Sequence, residues 1–258
     1  MNGSMYQMMK IVSYVKKRIR EGTESSLIMP DSNRSIFFEF LEEGFLFAKK
    51  NKTAASVQDW YRILQQKNIK TVKMHISVAN NDPRMAGFAN GEAEGLVTAY
   101  GKGAVTYWKP SWSYNQEAHA WDICYKEILW ENMRIEYLEQ EDDPTDDFKE
   151  ALKKIETFAD EIGFDHYARD FREAYEILCG IKPADYPKWM ERDRHLFNPE
   201  TARLVLAVEK ADVFGGMGSW NDSPPYYAHD RGRDEEYDQV TYELYVQSRR
   251  AAMYAVNH

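Results

Sequence analysis

The chain has 258 residues, 43% of them hydrophobic and 14% aromatic, and a formal net charge of -9. That apolar content builds a core and excludes a disordered chain. The acidic balance disfavours non-specific binding to nucleic acid or to an anionic membrane surface. The length suits one large domain or two small ones.

Met5, Met8, Val12, Val15 and Ile19 recur at helical spacing and predict an amphipathic N-terminal helix that ends before Gly22. Lys10, Lys16, Lys17, Arg18 and Arg20 fill its other faces. From Ile36 to Lys49 two phenylalanine-rich arms flank Glu43-Gly44. The expectation is a β-hairpin, with a single helix as the competing reading. Ser56 opens a short helix whose apolar face is Val57, Trp60, Tyr61 and Leu64, and Asn68 stops it. Thr71 to Val78 alternates as a strand, with Met74 and Ile76 on one side and His75 on the other. Leu96–Tyr100 and Ala104–Trp108 read as two strands around Gly101-Lys102-Gly103. Lys109–Asn115 reads as an aromatic loop, and His119–Trp130 as a strand or short helix. The carboxylate-rich run 139–147 is the best boundary between a mixed part (1–138) and a helical part (148–258), unless the two form one continuous domain.

Past that boundary the period is helical. Phe148, Leu152, Ile155, Ala159 and Ile162 share one face up to Gly163. Ala168, Phe171, Tyr175 and Leu178 share the next, from Asp165 to Gly180. Pro199 is placed at a helix start ahead of Ala202, Val205, Val208 and Ala211. A last helix from about Asp234 turns Tyr237, Val240, Leu244, Ser248, Ala251 and Ala255 inward. The fold class is therefore α+β, with β-hairpins and short helices first and an antiparallel helical part after them.

Between the last two long helices lies 211–225, with three glycines, Trp220, Asn221-Asp222 and two prolines. Gly215 or Gly216 suits the left-handed residue after a helix ending near Phe214. Gly216 and Gly218 suit a close approach of backbone. Asn221 or Asp222 suits a cap, and Pro224-Pro225 a block to helix continuation. The stronger expectation is a structural corner pinned by Trp220; the weaker is a binding loop.

No local motif carries chemistry. GxSxG, SxxK, HExxH and the phosphate-binding glycine patterns are absent. Cys124 and Cys179, far apart in apolar patterns, read as buried free thiols. No cofactor or metal is expected. No charged-then-apolar leader opens the chain and no apolar run approaches the length of a membrane span, so a cytoplasmic protein without membrane contact is expected. The acidic charge, seventeen tyrosines and seven tryptophans point to a non-catalytic protein that docks or neutralises a basic protein partner. A bacterial toxin-immunity protein is one concrete form. Its expected binding residues are Trp220, Asn221, Asp222, Tyr226, Tyr227 and Arg231. The alternative is a small-molecule hydrolase with its pocket at 214–231 and Asp222 and His229 as acid and base.

Overall fold

The computed structural model describes residues 1–22, 27–30, 32–41, 52–101, 103–130 and 142–258. In chain order they form α1 (Gly3–Glu21), β1 (Asn33–Glu39), β2 (Thr53–Ala54), α2 (Val57–Gln66), β3 (Ile69–Ile76), β4 (Glu94–Tyr100), β5 (Val105–Asn115) and β6 (Ala120–Leu129). Then come α3 (Thr145–Glu161), α4 (Asp165–Leu178), α5 (Ala202–Ala211), α6 (Pro224–Asp230) and α7 (Asp234–Asn257). The class is α+β. The Glu43-Gly44 turn and the second arm of the expected first hairpin lie outside the described residues, as do residues 139–141 of the acidic run.

The sheet has six strands in the order β2-β1-β6-β5-β4-β3. β3 to β6 form an antiparallel meander. β1 then lies parallel to β6, with Phe38 opposite Tyr125, and β2 pairs antiparallel on its outer edge. The Lys109–Asn115 segment is not a loop: it continues β5, pairing residue by residue with β6 from Lys109↔Lys126 to Asn115↔Ala120. β4 follows β5 only as far as Trp108, so Pro110 stands where one edge has no neighbouring strand, a position proline tolerates. His119–Trp130 resolves to strand, since pairing with β5 outweighs its weak local alternation.

Alternation selects the buried face. Val72, Met74 and Ile76 of β3 point to the main core, while His75 turns the other way, 5.0 Å from the Trp130 ring. Phe38 stacks on Trp60 at 4.6 Å and on Tyr125 at 5.0 Å, with Trp108 edge-on. α2 delivers Trp60 as its period requires: Ser56 accepts from the Asp59 N–H at the start, and Asn68 at φ 60° ends the turn.

α1 is more central than its amphipathic pattern implies. Every residue from Ser4 to Val15 is buried. Lys10, expected on a polar face, is 1% exposed, paired with Asp193 at 2.7 Å and donating to the Ile28 carbonyl at 2.9 Å. The helix starts at Asn2, whose side chain accepts from the Ser4 N–H, and closes at Gly22 with φ 66°. It packs on β3, β4 and α7, so buried residues of sheet and helices join one core.

Where α1, β4 and α7 meet, the core is ionic. Arg249, fully buried, holds Glu92 at 3.1 Å and Asp212 at 2.5 Å, both with side chains 1% exposed. Tyr245 donates to Glu92 at 2.6 Å, and the Asn2 N–H donates to Asp212. Glu94 lies beside this group. Burial, then the Glu92 charge, raises its pKa to about 8 against donation from Ser4 and the pull of Arg249. A native pKa above the unfolded value of 4.5 gives stability that is complete below pH 4.5 and is lost as pH rises toward 8. Glu94→Gln removes that slope. Near pH 5 the variant and the parent should melt alike, and at pH 7 the variant should be more stable by roughly 3 kcal/mol in urea titrations. Parallel curves at the two pH values would show that Glu94 is ionised in the native state.

In the helical half, α3 packs on α4, α4 on α5, and both α3 and α5 on α7. The expected inward residues of α7 are all buried. Pro199 is not a first helical residue: α5 begins at Ala202, after a turn that Thr201 fixes by donating to the Ala255 carbonyl at 2.8 Å. The cysteines are free but not fully buried. Cys179 caps the exposed end of α4, and Cys124 is half-buried, its thiol pushed up to about 11 by burial and the nearby Glu39.

Candidate functional site

The 211–225 connection is built around Trp220, which has no exposed surface. Its ring meets Tyr167 at 5.3 Å, Phe171 at 5.5 Å and Tyr237 at 5.7 Å, and its indole N–H donates to Thr241 Oγ1 at 2.8 Å. The backbone is tied as firmly. The Trp220 N–H donates to the Val213 carbonyl at 3.0 Å, and the Tyr167 and Tyr237 hydroxyls donate to the Gly218 and Trp220 carbonyls at 2.9 and 3.0 Å. Asn221 donates to the Pro83 carbonyl at 2.9 Å.

The glycines do this work differently from their expected roles. α5 ends at Ala211, before Phe214, and the left-handed residue is Gly218 at φ 79°, not Gly215 or Gly216. Gly216 does make a close approach, a Cβ there standing 3.2 Å from the Phe88 ring, whereas Gly218 makes none; the closest is at Gly87, where a Cβ would stand 2.6 Å from the Phe214 carbonyl oxygen. Pro224 opens α6 as its first residue, because the missing N–H is harmless there. Asp222 caps no helix; it accepts from the Gly218 N–H at 2.8 Å and closes the loop on itself.

The remaining candidate residues lie on the outer side of this corner. Tyr226 and Tyr227 are 64% and 44% exposed on α6, and Met217 at the loop tip is 98% exposed. The Tyr227 ring leans on Phe164 at 5.0 Å. Arg231 donates to the Tyr227 carbonyl at 3.0 Å and lies over its ring. His229 pairs with Asp234 at 3.0 Å in the open. No hydrogen bond joins Asp222 to His229. Among the described residues Asp222, Asp230 and Glu235 form no ion pair, nor does Arg231 beside them, so this segment keeps a net negative charge next to exposed aromatic rings.

Among the described residues several cavities open elsewhere, two of them lined by strand residues. One of about 460 Å³ opens by Lys67, Tyr100 and Glu127; its carboxylate accepts from Thr106 at 3.0 Å and from the Leu41 N–H at 3.0 Å. The other, of about 340 Å³, opens between the start of α1 and the ends of β1, β5 and β6. Its walls come from positions as far apart as Gln7 and Trp189, so no local pattern in the sequence marks it. Only the shared aromatic excess hinted at it.

The chain matches no family model, no curated protein and no solved structure. Among the described residues no helix is long and apolar enough to cross a membrane, and no group of three or more His, Cys, Asp or Glu side chains is placed to hold a metal ion.

Proposed function

We propose that the protein is a non-catalytic binding protein that docks a basic protein partner through the face formed by the 217–235 segment. The observation that carries this reading is the pairing of exposed anchors with unpaired carboxylates. Met217, Tyr226 and Tyr227 stand out from a corner held rigid by Trp220, beside Asp222, Asp230 and Glu235. Rigid exposed tyrosines contribute contact area at low entropic loss, and the surrounding charge steers a cationic partner. A toxin-immunity pair is one form of such a complex. The location in this reading is the cytoplasm, with which two unbridged cysteines are compatible.

The test is a tagged capture from source cells at low salt and at about 0.5 M salt, where charge attraction is screened. One basic protein in stoichiometric yield, reduced at high salt, is the expected result. Against the purified partner, Tyr226→Ala, at the more exposed of the two rings, should weaken binding at least ~10-fold while leaving the melting temperature unchanged. Full binding by that variant, or no partner at either salt, would remove this reading.

A further inference from the structure

Buried donors without acceptors single out the cavity at the start of α1. Gln7 Nε2, Asn33 Nδ2 and Trp112 Nε1 are each shielded from solvent and have no hydrogen-bond partner, and all three residues line this one cavity. Gln7 is 2% exposed; the Tyr125 hydroxyl holds one end of its amide at 2.9 Å and leaves the other unpaired. Leaving one buried donor unpaired is unfavourable, and a cluster of three around one opening marks a place where a ligand supplies the acceptors.

The walls define the rest of the ligand. Trp112 and Trp121 meet edge to face at 6.0 Å on the sheet side, and Tyr6 and Trp189 meet at 4.9 Å on the helical side. Trp189 is 49% exposed at the rim. The acidic group in the wall, Asp193, is already held by Lys10 at 2.7 Å and by the Tyr6 hydroxyl at 2.9 Å. Arg192, its side chain 52% exposed, approaches the same carboxylate only to 3.8 Å and, among the described residues, has no other ion pair. Lys10 lies behind the wall and neutralises Asp193, which leaves the Arg192 guanidinium as the uncompensated side-chain charge at the rim. The three solvent-shielded side-chain groups without a partner at this cavity are all donors, while Asp193 Oδ1 faces only Arg192, at 3.8 Å. A sugar would bring hydroxyl protons needing acceptors; a planar acid brings acceptors and a flat face for the indoles.

We propose that this cavity binds a small heteroaromatic carboxylate, its ring against the tryptophans and its ring acceptor atoms toward Gln7, Asn33 and Trp112, with Arg192 beside the carboxylate at the rim. The volume of about 340 Å³ is at the small end of ligand pockets and suits one or two fused rings. This site is separate from the 217–235 face and does not depend on it.

Calorimetric titration of the full chain tests it with three probes: quinoxaline-2-carboxylate, whose ring nitrogens are acceptors, its neutral amide quinoxaline-2-carboxamide, and glucose. The expected result is saturable binding of the acid at one site, with the amide at least ~10-fold weaker and glucose silent. Arg192→Gln, a change at an exposed position, should weaken the acid about tenfold and leave the amide unaffected. Trp112→Phe keeps an aromatic ring and removes the unpaired N–H. It should weaken both quinoxalines, while the unliganded protein loses little stability, because removal of an unpaired buried donor offsets the smaller ring. No binding of the acid up to about 10 mM, binding unmoved by both variants, or glucose bound in preference would each overturn the proposal.

Discussion

Arg249→Met should lower the unfolding free energy by about 3–5 kcal/mol at neutral pH, because it leaves two buried carboxylates without their cation. Burial works against the charge of Arg249, but Asp212 and Glu92 outweigh it and hold the guanidinium above the ordinary arginine value. Burial likewise pushes Asp212 up, and Arg249 with the chain's amino end more than reverses it, so the carboxyl titrates below the usual aspartate range. A depressed native pKa gives stability that is present above the unfolded value and is lost as pH falls through the native one. In the parent protein the Asp212 contribution therefore persists through mild acid. In the variant Asp212 loses the cation that offsets its burial and its pKa rises, so the deficit should be largest near pH 8 and should shrink toward pH 5. Urea titrations at the two pH values measure this. The triple change Glu92→Gln/Asp212→Asn/Arg249→Met, which removes all three charges, should recover much of the loss. A single-variant loss below about 1 kcal/mol would mean that water reaches the cluster and screens it.

Trp220→Ala should destabilise by about 3–5 kcal/mol, the range for truncating a fully buried large aromatic. The ring fills the space among Tyr167, Phe171 and Tyr237, and its loss also strands the Thr241 hydroxyl. Trp220→Phe keeps most of the volume and should lose less, about 1–2 kcal/mol for the donor and the smaller ring. Hydrogen exchange should localise the effect. The Trp220 N–H, bonded to Val213, and the Gly218 N–H, bonded to Asp222, should lose protection before the core of α7 does. A melting temperature close to the parent's in Trp220→Ala would mean that the corner stands without its ring. The proposed docking face on its outer side would then lack the rigid support assumed for it.

Trp220→Ala and Tyr226→Ala together separate structure from recognition at the 211–231 segment. Trp220 was legible as an anchor because a tryptophan among glycines and prolines has no use in a solvated linker. The tyrosines that follow it look equally apolar in sequence, yet Trp220 is buried and Tyr226 and Tyr227 are exposed. Which ring turns inward is decided by Tyr167, Phe171 and Tyr237, contributed by α4 and α7. The same limit applied to Lys10, which reads as a surface cation until Asp193 arrives from far along the chain.

What the sequence determined by itself was whatever local periodicity and capping specify: α1 up to Gly22, α2 from Ser56 to Asn68, the β4–β5 hairpin, and the helices that bury Phe148, Phe171 and Tyr237. These elements follow from side-chain spacing over a few turns, which each segment carries within itself. Only the tertiary structure decided that β1 joins β6 in parallel, that Lys109–Asn115 is strand, and that Arg249 meets Glu92 and Asp212. It also decided that Gln7, Asn33 and Trp112 line one cavity. Apart from the β5–β6 pairing, those arrangements are made by residues tens to hundreds of positions apart. Their energies come from shared burial and from pairing donors with acceptors and charges with counter-charges across elements, and no window of local sequence contains both partners.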